Sequence, residues 1–173
     1  NACLGKKEGM RTITLTSLLY SVWNRSQEQV RDWETNNMDE FDTCKPGSSA
    51  LRAALGRGMQ AELAHLLGEK TGGLFHDWEK FFDTININVL LSEALHTDYP
   101  PVHMAFAMQQ HLAPRMIKLH NFLGKPIEVC NSIIAGCRQS VPFTRVYMKR
   151  ELKNVCNNYQ GILDTADSQT GGL

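Results

Sequence analysis

In the stretch HDWEKFFDTI, residues 76–85, two carboxylates six residues apart, Asp77 and Asp83, bracket the aromatic pair Phe81 and Phe82. Trp78 and Ile85 add to the apolar surroundings, so Asp77 is expected at the edge of a core. Two chemistries suit an acid there. One is structural, a carboxylate that caps a turn at a strand end. The other is a site for a hard cation. Mg²⁺ takes carboxylate oxygens from a rigid element and leaves room for substrate phosphates. Asp83 reads as a cap for the helix that follows it. A second cluster, His96, His103, His111 and His120 with Cys130 and Cys137, raises the question of zinc. Its histidines are seven to nine residues apart, without the short pair of a structural zinc site. Met104, Met108 and Met116 in the same region read as core.

The elements that must position these residues follow from periodicity and punctuation. Residues 1–11, polar and basic, read as a turn or hairpin around Gly5 and Gly9, and Arg11–Leu15 as a short strand. Leu15, Leu18, Leu19, Val22, Trp23, Val30 and Trp33 recur at three-to-four spacing and predict one amphipathic helix over about 16–35. Pro46-Gly47 and a serine cap open a second helix, about 48–69, striped by Leu51, Leu55, Met59, Leu63 and Leu66 or Leu67. LFHDWEKFF reads as a strand, 84–96 as a helix, and Pro100-Pro101 as the start of another to about 113. Residues 115–122 and 127–134 are strand-like, with a turn at Gly124-Lys125-Pro126. A loop at AGCRQSVPF opens a helix over about 140–157, and GILDTA is a short strand candidate. The mixture lacks regular βαβ alternation, so the expected class is α+β.

Composition narrows the function classes. A chain of 173 residues can hold one domain with its own core, or most of a larger one. With 42% hydrophobic and 21% charged residues it reads as a folded globular chain rather than a disordered one. Its 18 basic and 18 acidic residues cancel, so only a local basic patch would support nucleic-acid binding. Five cysteines form no C-x-x-C pair, which favours free thiols in an intracellular chain over a secreted disulfide framework. The Asn24-Arg25-Ser26 sequon falls inside a predicted helix and carries no weight. No signal peptide or membrane-length apolar run is visible, so no membrane partner is expected. Nucleus or cytoplasm stays open, as does oligomeric state. The chain begins at Asn1 and reads as part of a longer frame.

DWEKFFDTI resembles the first catalytic motif of reverse transcriptases, closest to the D-I-x-x-F-F-D-x-I form of non-LTR retroelements and group II introns. Three further segments are similar, in the family's order. LGKKEGMRTITLTSLLYSVWNR resembles the fingers segment, with Thr12 where the family has proline. FDTCKPGSSALRAAL resembles the segment whose loop opens a helix before the catalytic strand. AGCRQSVP resembles the Q-G-x-x-x-S-P loop, keeping Gly136 and Ser140 but with Ala135 and Val141 in place of glutamine and proline. The resemblance spans about residues 4–168.

It implies an α+β fingers–palm fragment with an antiparallel palm sheet packed on helices. About 1–70 would be fingers-like and about 71–173 palm-like, truncated before a thumb. The implied activity is RNA-directed DNA synthesis on an RNA template and DNA primer, from dNTPs, with two Mg²⁺ ions. Asp77 would hold both metals, helped by the Trp78 carbonyl. Phe82 would lie under the incoming sugar, as well as or instead of packing in the core. Lys6 or Lys7, with Arg11, would hold the triphosphate. Gly136 and Ser140 would let backbone approach template–primer and nucleotide. The family's second acidic motif, Tyr-x-Asp-Asp, corresponds to Thr165-Ala166-Asp167-Ser168. In one register Asp167 is the first aspartate, the preferred reading, and in the other it is the second. Either way one carboxylate is lost, so this chain alone is expected to be inactive. The alternatives are a non-catalytic relic or a domain that binds RNA or protein, and an unrelated α+β domain with a chance motif.

Overall fold

The chain turns where its residues cannot continue the element before them. A computed structural model describes residues 2–5, 10–39, 41–44, 47–70, 72 and 78–158, with 2–5 and 10–13 described by backbone alone. It is α+β, mostly helical with a small sheet. Two compact units divide the chain, one of residues 1–36 and 79–152, the other of residues 37–78 and 153–173.

In the first unit, β1 (Ala2–Gly5) pairs antiparallel with β2 (Met10–Ile13), with Ala2 opposite Ile13 and Gly5 opposite Met10. β3 (Lys118–Leu119) lies parallel to β1 through Ala2 and Lys118, and β4 (Phe122–Leu123) pairs antiparallel with β3. The strand order is β2-β1-β3-β4. The hairpin turns at His120-Asn121, earlier than the Gly124-Lys125-Pro126 turn that the sequence predicts. The expected strand at 127–134 is reduced to one bridge, Ile127 with Arg115.

The predicted helix 16–35 is two helices, α1 (Leu18–Arg25) and α2 (Glu28–Asn37). The Trp23 carbonyl accepts from the Ser26 backbone N–H at 3.1 Å, from the Ser26 hydroxyl at 2.9 Å and from the Gln27 amide side chain at 2.5 Å. Such local side-chain bonds compete with the helical ladder and end α1 there. Ser17 caps α1 by accepting the Tyr20 N–H.

α1 also faces opposite to expectation. Asn24 is its buried residue, while Leu15, Leu18, Leu19 and Val22 are exposed. The physical reason is polar. Asn24 is held by hydrogen bonds to Cys137 and Gln139, and an unpaired buried amide would be penalised more than exposed leucines. Trp23 covers the flank, its ring 6.0 Å from that of His103 and 5.9 Å from that of Phe106.

α4 (Phe81–Thr84) replaces the end of the strand predicted over LFHDWEKFF. Lys80 takes a left-handed conformation, φ 51°, its carbonyl accepts the Asp83 N–H at 2.8 Å, and Thr84 returns its hydroxyl to the Phe81 carbonyl. These bonds close a turn that a strand would have to open. Asn86 caps α5 (Ile87–His96), accepting from the N–H groups of Asn88 and Val89, so the cap assigned to Asp83 belongs to Asn86. Pro101 begins α6 (Pro101–His111), and Ser140 begins α7 (Ser140–Asn158), both close to expectation.

These helices enclose one core: Val30 and Trp33 from α2, Leu90 and Ala94 from α5, Met104 and Met108 from α6, Phe143 and Val146 from α7, with Ile85 and Ile133 between them. Met116, expected there, is exposed. Trp33 donates its indole N–H to the Thr97 carbonyl at 2.7 Å and meets Tyr99 edge-on. Arg150 on α7 pairs with buried Glu93 on α5 at 2.8 Å.

In the second unit, α3 (Ala50–Leu66) is capped by Ser49, which accepts the Arg52 N–H at 3.2 Å. It closes at Gly68, whose φ of 74° is the left-handed turn a helix end uses, with Glu69 N–H donating to the Ala64 carbonyl. Lys153 pairs with Asp39 at 3.2 Å. No described helix is long and apolar enough to cross a membrane.

Candidate functional site

Two backbone hydrogen bonds join the Phe82 turn to the segment leading into α7. Ile133 N–H donates to the Phe82 carbonyl at 2.9 Å, and Ser132 N–H donates to the Ile85 carbonyl at 3.2 Å. Sequence separates these residues by about fifty positions, yet backbone contact joins them directly. Phe82 is half-buried and packs against the core, with its ring 5.7 Å from that of Phe81. It therefore does the packing expected of it, with part of its surface still open.

Past Ile134 the chain makes a tight loop before α7. Cys137 N–H donates to the Ile134 carbonyl at 3.2 Å and Ser140 N–H to the Cys137 carbonyl at 2.9 Å. The Ser140 hydroxyl donates to the Ile134 carbonyl as well. Ser140 is buried, so its hydroxyl is a loop clasp rather than a group open to a ligand. Gly136 is exposed, with a φ of 84° and no atom within 4 Å of where a Cβ would stand. Glycine answers the backbone conformation here, and the loop's outer surface is open for close approach.

A buried polar cluster that sequence reasoning did not find anchors this loop from behind. Tyr99 donates its hydroxyl to Gln139 Oε1 at 2.7 Å, and Gln139 Nε2 donates to Asn24 Oδ1 at 3.2 Å. Asn24 Nδ2 donates to Cys137 Sγ at 3.7 Å, and Tyr20 Oη lies 3.6 Å from the same sulfur. Burial, with Cys137 adding to it for Tyr20 and Glu34 for Tyr99, pushes both phenols above their ordinary range. Both phenols therefore stay protonated and, with the Asn24 and Gln139 amides, act as fixed dipoles. The cluster's sequence signal was weak: polar residues spread over more than a hundred positions, with Asn24 disguised as a sequon. Because Asn24 is buried and hydrogen-bonded, it is no acceptor for a glycan in this fold.

Beneath the same loop, His111 Nδ1 accepts the Ile134 N–H at 3.1 Å, and its ring meets Phe143 edge-on. Burial, with the Arg115 charge helping, lowers its pKa to about 3. Arg115 donates from Nη2 to the His111 carbonyl at 3.0 Å. Burial lowers the Arg115 pKa, and the Asp83 carboxylate opposes that shift.

The remaining site residues are distributed unevenly. Lys6, Lys7, Asp77 and Asp167 lie outside the described residues, and Arg11 is described by backbone only, in β2. Trp78 is described and exposed. Among the described residues, no group of three or more His, Cys, Asp or Glu could hold a metal. The structure thus joins Phe82 by a backbone bond to Ile133, on the segment that runs on to Gly136 and Ser140. Compared with known proteins, the chain matches no family model, no curated protein and no solved structure.

Proposed function

We propose that the chain is a reverse-transcriptase-like domain, fingers-like over about residues 1–70 and palm-like over about 71–173, from an RNA-directed DNA polymerase of a retroelement. The reading is supported chiefly by one observation: backbone pairing of the Phe82 turn with Ser132-Ile133. Ser132 and Ile133 lie just ahead of the AGCRQSVP loop, so one motif-like segment is bonded to the chain leading into the other, as a shared nucleotide pocket would require. Asp77, with Asp167 and the Trp78 carbonyl, would hold Mg²⁺, which stabilises the attacking and leaving oxygens in phosphoryl transfer. Lys6 or Lys7, with Arg11, would meet the triphosphate, and Phe82 the sugar of the dNTP.

The buried Gln139 offers the Q-G-x-x-x-S-P loop a second register. Gln139 would then be the motif's glutamine, with Ser140 in the place of its glycine and Thr144 in that of its serine. In this register Ser140 would face substrate with its backbone and not its hydroxyl, in keeping with that hydroxyl being bonded to Ile134.

With one carboxylate at residues 165–168, Mg²⁺ affinity falls, because a hard cation is held by ligand charge. Little primer extension is therefore expected, and binding gives the sharper test. Fluorescence anisotropy would follow a labelled DNA primer on an RNA template, with and without Mg²⁺ and the next dNTP. The proposal expects salt-dependent binding that tightens with Mg²⁺ and dNTP, and loss of that tightening in Asp77→Asn. Absence of binding even at low salt overturns it. The missing acid favours one alternative, a non-catalytic RNA-binding domain, in which binding persists with no effect of Asp77→Asn. Primer extension indifferent to Asp77→Asn would remove Asp77 from the chemistry.

A further inference from the structure

α3 turns its small face inward and its large face outward. Ala64 is the buried residue, with Ala53 and Arg57 half-buried on the same side. Leu51, Leu55, Met59, Leu63 and Leu67 lie on a single row at four-residue spacing, each between 58% and 80% exposed. Large side chains on an i+4 row form a ridge. Near the middle of this ridge the rows beside it are low, with Ala54 and Gly58 on one side and Gly56 on the other, while towards the ends they carry Arg52, Gln60, Glu62 and Leu66. A Cβ at Gly56 or Gly58 would meet nothing within 4 Å. A ridge flanked by low rows can seat in the groove of an identical helix.

The row is also a palindrome. Read in either direction from Met59 it runs Leu, Leu, Met, Leu, Leu. A surface that is its own complement under a two-fold rotation is what an isologous dimer needs. Charge selects the direction. Arg52 near the start of α3 and Glu62 near its end are both exposed beside the row. Parallel copies would set Arg52 against Arg52 and Glu62 against Glu62. Antiparallel copies set each Arg52 about one helical turn, roughly 6 Å along the axis, from the level of the partner copy's glutamate, within reach of two long side chains.

We propose that α3 docks antiparallel against α3 of a second copy of this chain, with the two-fold axis at Met59. This interface uses none of the residues to which the polymerase reading gives a catalytic, metal or substrate role. Sedimentation of the whole chain across the micromolar range tests it. The expected result is a concentration-dependent rise toward twice the 19.5 kDa chain mass. Leu55→Glu should weaken dimerisation by at least about tenfold with unchanged far-ultraviolet circular dichroism. Arg52→Glu should weaken it and adding Glu62→Arg should restore it, a result that misfolding cannot produce. Met59→Cys should cross-link to itself above the background of the parent chain's cysteines, and Leu51→Cys should not. A monomer at every concentration overturns the proposal, as does a dimer that survives Leu55→Glu. Equal cross-linking by Leu51→Cys and Met59→Cys overturns the antiparallel arrangement.

Discussion

The imidazole of His111 accepts the backbone N–H of Ile134 across 3.1 Å, inside the core and under the loop that opens α7. That bond requires Nδ1 to be unprotonated. Burial and the Arg115 charge lower the folded pKa to about 3, against about 6.5 in an unfolded chain. The unfolded chain therefore binds the proton first. Stability is at its full value above about pH 6.5 and is lost as pH falls toward 3. Within that window each pH unit removes about 1.4 kcal/mol. Urea denaturation between pH 7 and 4 should show this slope. His111→Phe should be less stable at pH 7, since Ile134 N–H loses its acceptor, and should lack this contribution to the slope. An unchanged slope in His111→Phe would assign the acid sensitivity to other groups.

Tyr99 and Gln139 make the next prediction. Tyr99→Phe keeps the ring between Trp33 and Phe143 and removes only the hydroxyl that Gln139 Oε1 accepts. Leaving a buried amide oxygen without that donor costs about 1–3 kcal/mol. Because Gln139 also donates to Asn24, the loss should reach α1. Amide hydrogen exchange in α1 should quicken in Tyr99→Phe more than in a surface variant of equal stability. If only α7 quickens, Gln139 does not couple the two helices.

These two residues show how much of the fold was legible in the sequence. The α+β class, the helices beginning at Pro101 and Ser140 and the serine cap of α3 rest on local signals, and local signals survive. What failed was orientation. The stripes Leu15–Val22 and Leu51–Leu67 predict inward faces, yet both are exposed, because facing is decided by partners distant in sequence. Asn24 turns α1 inward through Cys137 and Gln139, more than a hundred residues away. The Phe81-Phe82 strand failed for the opposite reason. Lys80 and Thr84 close a local turn, and apolar content does not reveal that. Phe82, Gly136 and Ser140 were legible as a group only through family resemblance, and Gln139 stood beside them without being singled out.

Arg145 on α7 and Glu34 on α2 lie 2.5 Å apart, the guanidinium buried and the carboxylate partly so. Breaking such a pair from one side strands a charge in the core. Glu34→Ala should destabilise by about 2–3 kcal/mol, below the full value for a buried pair because water reaches Glu34. Replacing both, Glu34→Leu with Arg145→Met, should recover much of the loss, since hydrophobic replacement removes the stranded charge. Urea midpoints at constant slope would check both. A double variant as unstable as the sum of the singles would mean that the two residues act independently.

Ser140 separates the structural role from the substrate role. Its hydroxyl donates to the Ile134 carbonyl and its N–H to the Cys137 carbonyl, and the side chain is buried. Ser140→Ala should therefore cost about 1 kcal/mol of stability, the usual net value of one hydrogen bond. On the proposed reading, well below its melting temperature it should bind template–primer and dNTP no more weakly than the parent chain would. Gly136→Ala differs, because an alanine at a φ of 84° strains the loop itself. It should lower both stability and binding. If Ser140→Ala instead loses binding while keeping its melting temperature, the hydroxyl meets the ligand. The loop register with Gln139 as the motif's glutamine would then give way to the one that places the Ser140 hydroxyl at the nucleotide.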